Sequence, residues 1–274
     1  MSAAHEGLRA IVLRAAGTNC DREAVRALEL EGAQVDLVHL NRLVREPERL
    51  DEVSLLLVAG GFSYGDYVAA GRVFGHRLRK ELGDALRGFV ARGGYVLGIC
   101  NGFQILVDTG LLDLPACPRG GERSVSLYVN ESDRFECRWV TLRHGNCGAS
   151  WLEPDGLLPV PMAHAEGRIV LSDPSVLDAL EERGQVALRY VHADGGPARG
   201  FPDNPNGSAG DIAGLCDPTG RVLGLMPHPE RNLTPWNHPL WTRLPARTEG
   251  EGRAFFRALL AAARDAAPLP TGAS

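Results

Sequence analysis

The chain has 274 residues and a net charge of −5, which allows one large or two small domains and leaves no basic footprint for a nucleic-acid backbone. Hydrophobic residues make up 44 %, enough for a sizeable core, yet no apolar run reaches the ~18 residues of a membrane helix. Gly and Pro, at 33 and 18 residues, stay below the roughly 25–30 % that marks low complexity.

The N-terminal stretch MSAAHEGLRAIVLRAAG carries Arg9 and Arg14 within a short apolar run, unlike a signal peptide, so a cytoplasmic protein is expected. The first 112 residues alternate strand and helix patterns. Leu8–Arg14 reads as a buried strand, Asp21–Glu31 as a helix, and Gln34–Leu40 as an alternating strand. Val53–Ala59 is a continuous apolar strand, Arg72–Ala91 a long amphipathic helix, Tyr95–Ile99 a strand and Phe103–Leu112 a helix. Strands separated by helices predict βαβ units and a mostly parallel central sheet flanked by helices, an α/β fold. In the second half Val125–Val129, Glu136–Leu142, Arg168–Leu171, Val186–Val191, Asp211–Leu215 and Arg221–Met226 read as strands joined by Gly/Pro/Asn loops. This half is expected to be β-rich and irregular, closed by an amphipathic helix over Glu249–Arg264. No repeat or linker divides the chain, which predicts a single domain over 1–274, with its core at about 8–265 and a frayed tail at 266–274.

Lysine occurs once, at Lys80, so no Walker-type phosphate loop can form and any ATP is expected on another chain. The six cysteines contain no C-x-x-C pair, and the histidines show no ligand spacing, so no metal is expected.

Three loops follow strands and could carry chemistry. Gly98-Ile99-Cys100-Asn101-Gly102 has the form G-x-C-x-G between a strand and an apolar helix, the context of a nucleophile elbow. A helix N-terminus favours the anionic form of a thiol, and the N–H of Asn101 would point where an oxyanion forms. Gly61-Phe62-Ser63-Tyr64-Gly65 matches the serine version, but no long apolar helix face follows it directly. Gly60, Gly61 and Phe62 are better read as backbone donors to a substrate held over Cys100. In Pro227-His228-Pro229-Glu230, Pro229 favours an extended His228, which would set His228 and Glu230 side by side as base and orienting carboxylate.

The order of Cys elbow, glycine loop and late His-x-Glu resembles the class I, or triad, glutamine amidotransferases, whose core is flavodoxin-like. More narrowly, AGTNCDREA (16–24), VAGGFSYGDYVAAGR (58–72), GICNGFQIL (98–106), RFECRWV (134–140), MAHAEGR (162–168) and NPNGSAGDIAGLCDPTGRVLGLMPHPER (204–231) are similar to the glutaminase subunits of phosphoribosylformylglycinamidine synthase. Ala16 and Ala165 depart from that pattern, and the 112–160 and 231–249 stretches are longer than it. The resemblance implies that Cys100, His228 and Glu230 hydrolyse glutamine to glutamate and ammonia through a thioester. Gln104 would contact the glutamine or brace the site, and His164 and Glu166 would line the substrate or partner face. Ammonia would pass to a synthetase subunit, joined in some assemblies by a small third protein. That partner would bind ATP and magnesium and convert formylglycinamide ribonucleotide to its amidine in purine biosynthesis. No cofactor is expected on this chain. The competing readings are an amidotransferase serving another synthetase, a serine-type hydrolase using Ser63, and a non-catalytic flavodoxin-like binding module.

Overall fold

The computed structural model describes residues 7–118, 120–121 and 123–266; most of the tail expected to fray lies outside them. Four strands of the N-terminal half are β1 (Arg9–Arg14), β2 (Gln34–His39), β3 (Leu55–Val58) and β4 (Tyr95–Ile99). Between and after them run helices α1 (Asp21–Glu29), α2 (Leu40–Arg45), α3 (Arg72–Ala91) and α4 (Asn101–Thr109). The C-terminal half supplies β5 (Val125–Val129), β6 (Glu136–His144), β7 (Leu157–His164), β8 (Glu166–Leu171), β9 (Val186–Val191), β10 (Ile212–Cys216) and β11 (Val222–Leu225). Helix α5 (Ser175–Glu182) lies among them, and α6 (Gly252–Asp265) closes the chain.

Nine strands form one sheet in the order β2-β1-β3-β4-β11-β10-β9-β6-β7, and β5 pairs with β8 beside it. From β2 to β11 every pairing is parallel, and from β11 to β7 every pairing is antiparallel. The expected parallel sheet is therefore its first half, continued by an antiparallel extension that carries the β-rich second half. The four residues of β3, LLLV, are all fully buried. That is what a central parallel strand covered on both faces demands, and it explains the uninterrupted apolar run.

Strand β7 and helices α2 and α5 are elements that the sequence reading does not assign. In β7, Pro159 and Pro161 interrupt the strand signal, because proline cannot donate to a ladder. The strand is tolerated because β7 is the last in the sheet and pairs on one side only, with Trp139 opposite Pro161 and Thr141 opposite Pro159.

The order β3-β4-β11 places three strand ends side by side, and the loops leaving their carboxyl ends build the cavity described below. Close approach of α4 to β3 fixes the middle one. A Cβ on Gly102 would fall 2.0 Å from the carbonyl oxygen of Val58. Gly102→Ala is expected to force α4 off the sheet and destabilise the fold by about 1–3 kcal/mol or more, read as a lower urea midpoint. An unchanged midpoint would contradict this packing.

Candidate active site

Cys100 stands between β4 and α4 at φ 54°, ψ −110°, a conformation that non-glycine residues seldom adopt and that clusters at functional sites. The turn is held by its neighbours: the Cys100 N–H donates to Leu225 O of β11 at 2.8 Å. Three residues after Leu225, His228 donates its own N–H to Pro161 O of β7, also at 2.8 Å. Cys100 and His228 are thus positioned by adjacent strands, and β7 braces both, since Ala163 O lies 3.8 Å from Cys100 Sγ.

His228 and Glu230 meet as expected, but by a different local route. His228 is extended (φ −113°, ψ 86°), whereas Glu230 sits in a 3₁₀ turn over Pro229–Arg231, so the two are not neighbours on one extended strand. Pro229 opens that turn because its fixed φ suits a first helical position and its missing N–H is not needed there. The turn brings Glu230 Oε1 to 2.6 Å from His228 Nδ1, with both side chains about 1 % exposed. Burial alone would push the imidazole towards its neutral form. The Glu230 carboxylate and the Cys100 sulfur outweigh it, and His228 holds its proton well above the usual histidine range. Nε2 is buried with no hydrogen-bond partner among the described residues.

A cavity of about 350 Å³ opens over these groups, lined among others by Gly61, Phe62, Asp66, Gln104, His164 and Glu166. Gly60 packs closely against both groups: a Cβ there would lie 3.2 Å from the His228 ring and 3.4 Å from Cys100 Cβ. The expectation that Gly60, Gly61 and Phe62 all offer backbone donors needs correction. The Phe62 N–H is already spent on Gly17 O at 3.0 Å, because the 17–20 segment pairs with this loop, and Gly60 O accepts from Asn19 and Cys20. Phe62 contributes its half-exposed ring to the rim instead, stacked 6.4 Å from Phe135. Asn101 sits at the first position of α4, where a backbone N–H has no partner within the helix.

The side chains of Asn101 and Gln104 brace the site. Asn101 accepts from Ser63 N at 3.2 Å and donates to Asp66 and Gln104, while Gln104 donates to the Glu166 carbonyl. Ser63 is buried and its Oγ has no hydrogen-bond partner among the described residues, so no base is poised against it. The carboxyl of Asp66 is raised above the ordinary range by burial and by Glu166 nearby.

Two further motif residues, not expected from the sequence as site residues, line the cavity. Arg231 Nη2 donates to Cys20 Sγ at 2.9 Å. Cys20, His228 and Glu230 bring ligand-type atoms within 4.8 Å of one another. The Cys20 sulfur already accepts from the Arg231 guanidinium, and Glu230 is engaged by His228. The motif residues Cys20 and Arg231 are 211 positions apart, so only the fold brings them together.

A CobB/CobQ-like glutamine amidotransferase domain model matches residues 7–261. The chain is 43 % identical over 240 residues to phosphoribosylformylglycinamidine synthase subunit PurQ of Treponema denticola, covering 82 % of this chain and 88 % of that one. It is 42 % identical over 253 residues to the PurQ subunit of Picrophilus torridus, covering 92 % and 97 %. Among solved structures, a chain of PurLQS from Thermotoga maritima superposes with a TM-score of 0.67 at 33 % identity, over 93 % of this chain and 98 % of that one. With a strained cysteine elbow and a buried His–Glu pair at adjacent strand ends, and relatives of this likeness over nearly its whole length, the chain belongs to the PurQ family of glutamine amidotransferases.

Proposed function

We propose that Cys100, His228 and Glu230 carry out glutamine hydrolysis in the glutaminase subunit of phosphoribosylformylglycinamidine synthase. The observation that carries this reading is the elbow cysteine set against an imidazole whose far nitrogen is fixed by a buried carboxylate. The Cys100 thiolate, its proton held on His228, attacks the side-chain amide carbon of glutamine, and the carbonyl electrons move onto oxygen. The Asn101 N–H and the Gly60–Gly61 backbone face that oxyanion; one such donor is typically worth roughly 10²–10³ in rate. As the C–N bond breaks, His228 gives its Nε2 proton to the nitrogen, which leaves as ammonia. The resulting γ-glutamyl thioester is attacked by water, which His228 deprotonates, and glutamate and free Cys100 result.

The ammonia is used by the synthetase subunit, which converts formylglycinamide ribonucleotide to formylglycinamidine ribonucleotide with ATP. That subunit binds ATP and magnesium, and this chain needs no cofactor of its own; the absence of any Walker-type loop from the sequence supports this division. The Thermotoga relative belongs to a PurLQS assembly, which supports a synthetase subunit and a small third subunit as partners. The chain acts as one domain. No described helix is long and apolar enough to cross a membrane, and the free cysteines suit the reducing cytoplasm.

Glutamate release is expected to be slow for the chain alone and to rise when the synthetase, ATP and formylglycinamide ribonucleotide are added. Equal rates with and without the partner would contradict this coupling.

A further inference from the structure

His164 ends β7, is 3 % exposed, and lines the cavity with Cys100 and His228, yet no step of the hydrolysis described so far involves it. Its tautomer can be read from its neighbours. Asn130 Nδ2 donates to the carbonyls of Arg134 at 3.0 Å and of His164 at 2.7 Å, and Asn130 Oδ1 accepts from Gly167 N at 3.2 Å. Carbonyls cannot donate and an amide N–H cannot accept, so the orientation of the Asn130 amide is fixed. The nitrogen facing Oδ1 at 3.1 Å, His164 Nδ1, must therefore carry the proton. Burial, and then the neighbouring His228, push this imidazole down to about 3, so it is neutral at any working pH. A neutral ring protonated at Nδ1 presents a lone pair at Nε2, and that atom is buried with no partner. Buried polar atoms are rarely left so, and the missing partner is an N–H donor.

Its place in the cavity says which donor. The residue before it, Ala163, puts its carbonyl 3.8 Å from Cys100 Sγ, and Pro161 O holds the His228 backbone. His164 lines the same cavity as Cys100 and His228, close enough for His228 to act on its ring electrostatically. We propose that His164 Nε2 accepts an N–H of the glutamine carboxamide and keeps it as that nitrogen leaves as ammonia, an assignment that rests on the glutaminase reading.

The chemistry gives the contact a purpose. In the tetrahedral intermediate the nitrogen has two N–H bonds and one lone pair. Fixing one N–H on His164 turns the lone pair towards the His228 proton. The Sγ–C bond has formed, the C–N bond breaks, and the proton moves from His228 to nitrogen; His164 takes none. As nitrogen gains positive charge, its hydrogen bond to His164 becomes charge-assisted and strengthens towards the transition state, so the effect falls on kcat.

The test uses the chain assembled with its synthetase and compares glutamine with the diazoketone analogue of glutamine, whose reacting end carries no N–H. His164→Leu is expected to lower kcat for glutamine by about 10- to 100-fold while the diazoketone labels Cys100 within about threefold of the wild-type rate. His164→Gln, which restores an acceptor carbonyl, is expected to recover most of the glutamine rate. If the Leu variant does not fold, His164→Phe carries the same comparison with the ring volume kept. Hydrolysis and labelling falling together, or neither falling, would overturn the proposal. A wild-type protein that neither releases glutamate nor is labelled at Cys100 would remove the glutaminase reading itself, and this proposal with it.

Discussion

Cys100→Ala is expected to lower glutamate release by about 10⁴-fold or more in the assembled enzyme, because the covalent route is lost while the cavity is kept. Alanine retains Cβ and meets the same positive φ, so the elbow gains no relief and the fold should hold. No neighbouring group can replace the sulfur. The Cys20 sulfur is engaged by Arg231 at 2.9 Å, and Ser63 has no base within reach of its Oγ. Ser63→Ala is accordingly expected to stay within about twofold of wild type, since it removes a hydroxyl that bonds to nothing. Glutamate release measured for the two variants separates the cysteine and serine elbows. Full activity in Cys100→Ala, or collapse in Ser63→Ala alone, would reverse the assignment.

Glu230→Gln should reduce kcat by roughly 10²–10⁴-fold, the usual worth of a positioned acid or base in the right charge state. The substituted amide can still place its carbonyl against His228 Nδ1, so geometry is largely kept and charge is lost. The sign of the pH effect follows. Burial disfavours the imidazolium, and Glu230 and Cys100 together hold the His228 proton well above the usual range. Without the carboxylate, burial acts with less opposition and the proton is lost at lower pH. The ammonia-forming step needs that proton, so the alkaline limb of the pH–rate profile should move to lower pH. A profile that stays in place while the rate falls would mean that Glu230 supports the fold and does not set the charge of His228.

The parallel half of the fold is legible in the sequence because its strands are buried on both faces and read as apolar runs, as at LLLV of β3. Arg72–Ala91 and Tyr95–Ile99 coincide with the elements α3 and β4 residue for residue. The Cys elbow is legible for a related reason: Gly98 and Gly102 are needed where helix and strand backbones nearly touch. Legibility fails where long-range contacts decide. Two prolines hide β7, an edge strand whose tolerance for them depends on having one partner only. That strand carries the Pro161 and Ala163 carbonyls that reach His228 and Cys100, contacts with no signal in the sequence, whereas His164 is picked out only through the resemblance of MAHAEGR. Extended geometry brings out the His228–Glu230 pair in the sequence but not the 3₁₀ turn that actually joins them. Nothing local announces that Phe62 N–H is used by Gly17, or that Arg231 reaches Cys20.

Covalent chemistry at the Cys100 sulfur is tested most directly by mass spectrometry of the enzyme acid-quenched during turnover with glutamine and the synthetase. A γ-glutamyl adduct on the peptide containing Cys100, absent in Cys100→Ala, is the predicted result. Sustained glutamate production with no adduct on Cys100, or with the adduct on another residue, would contradict the account.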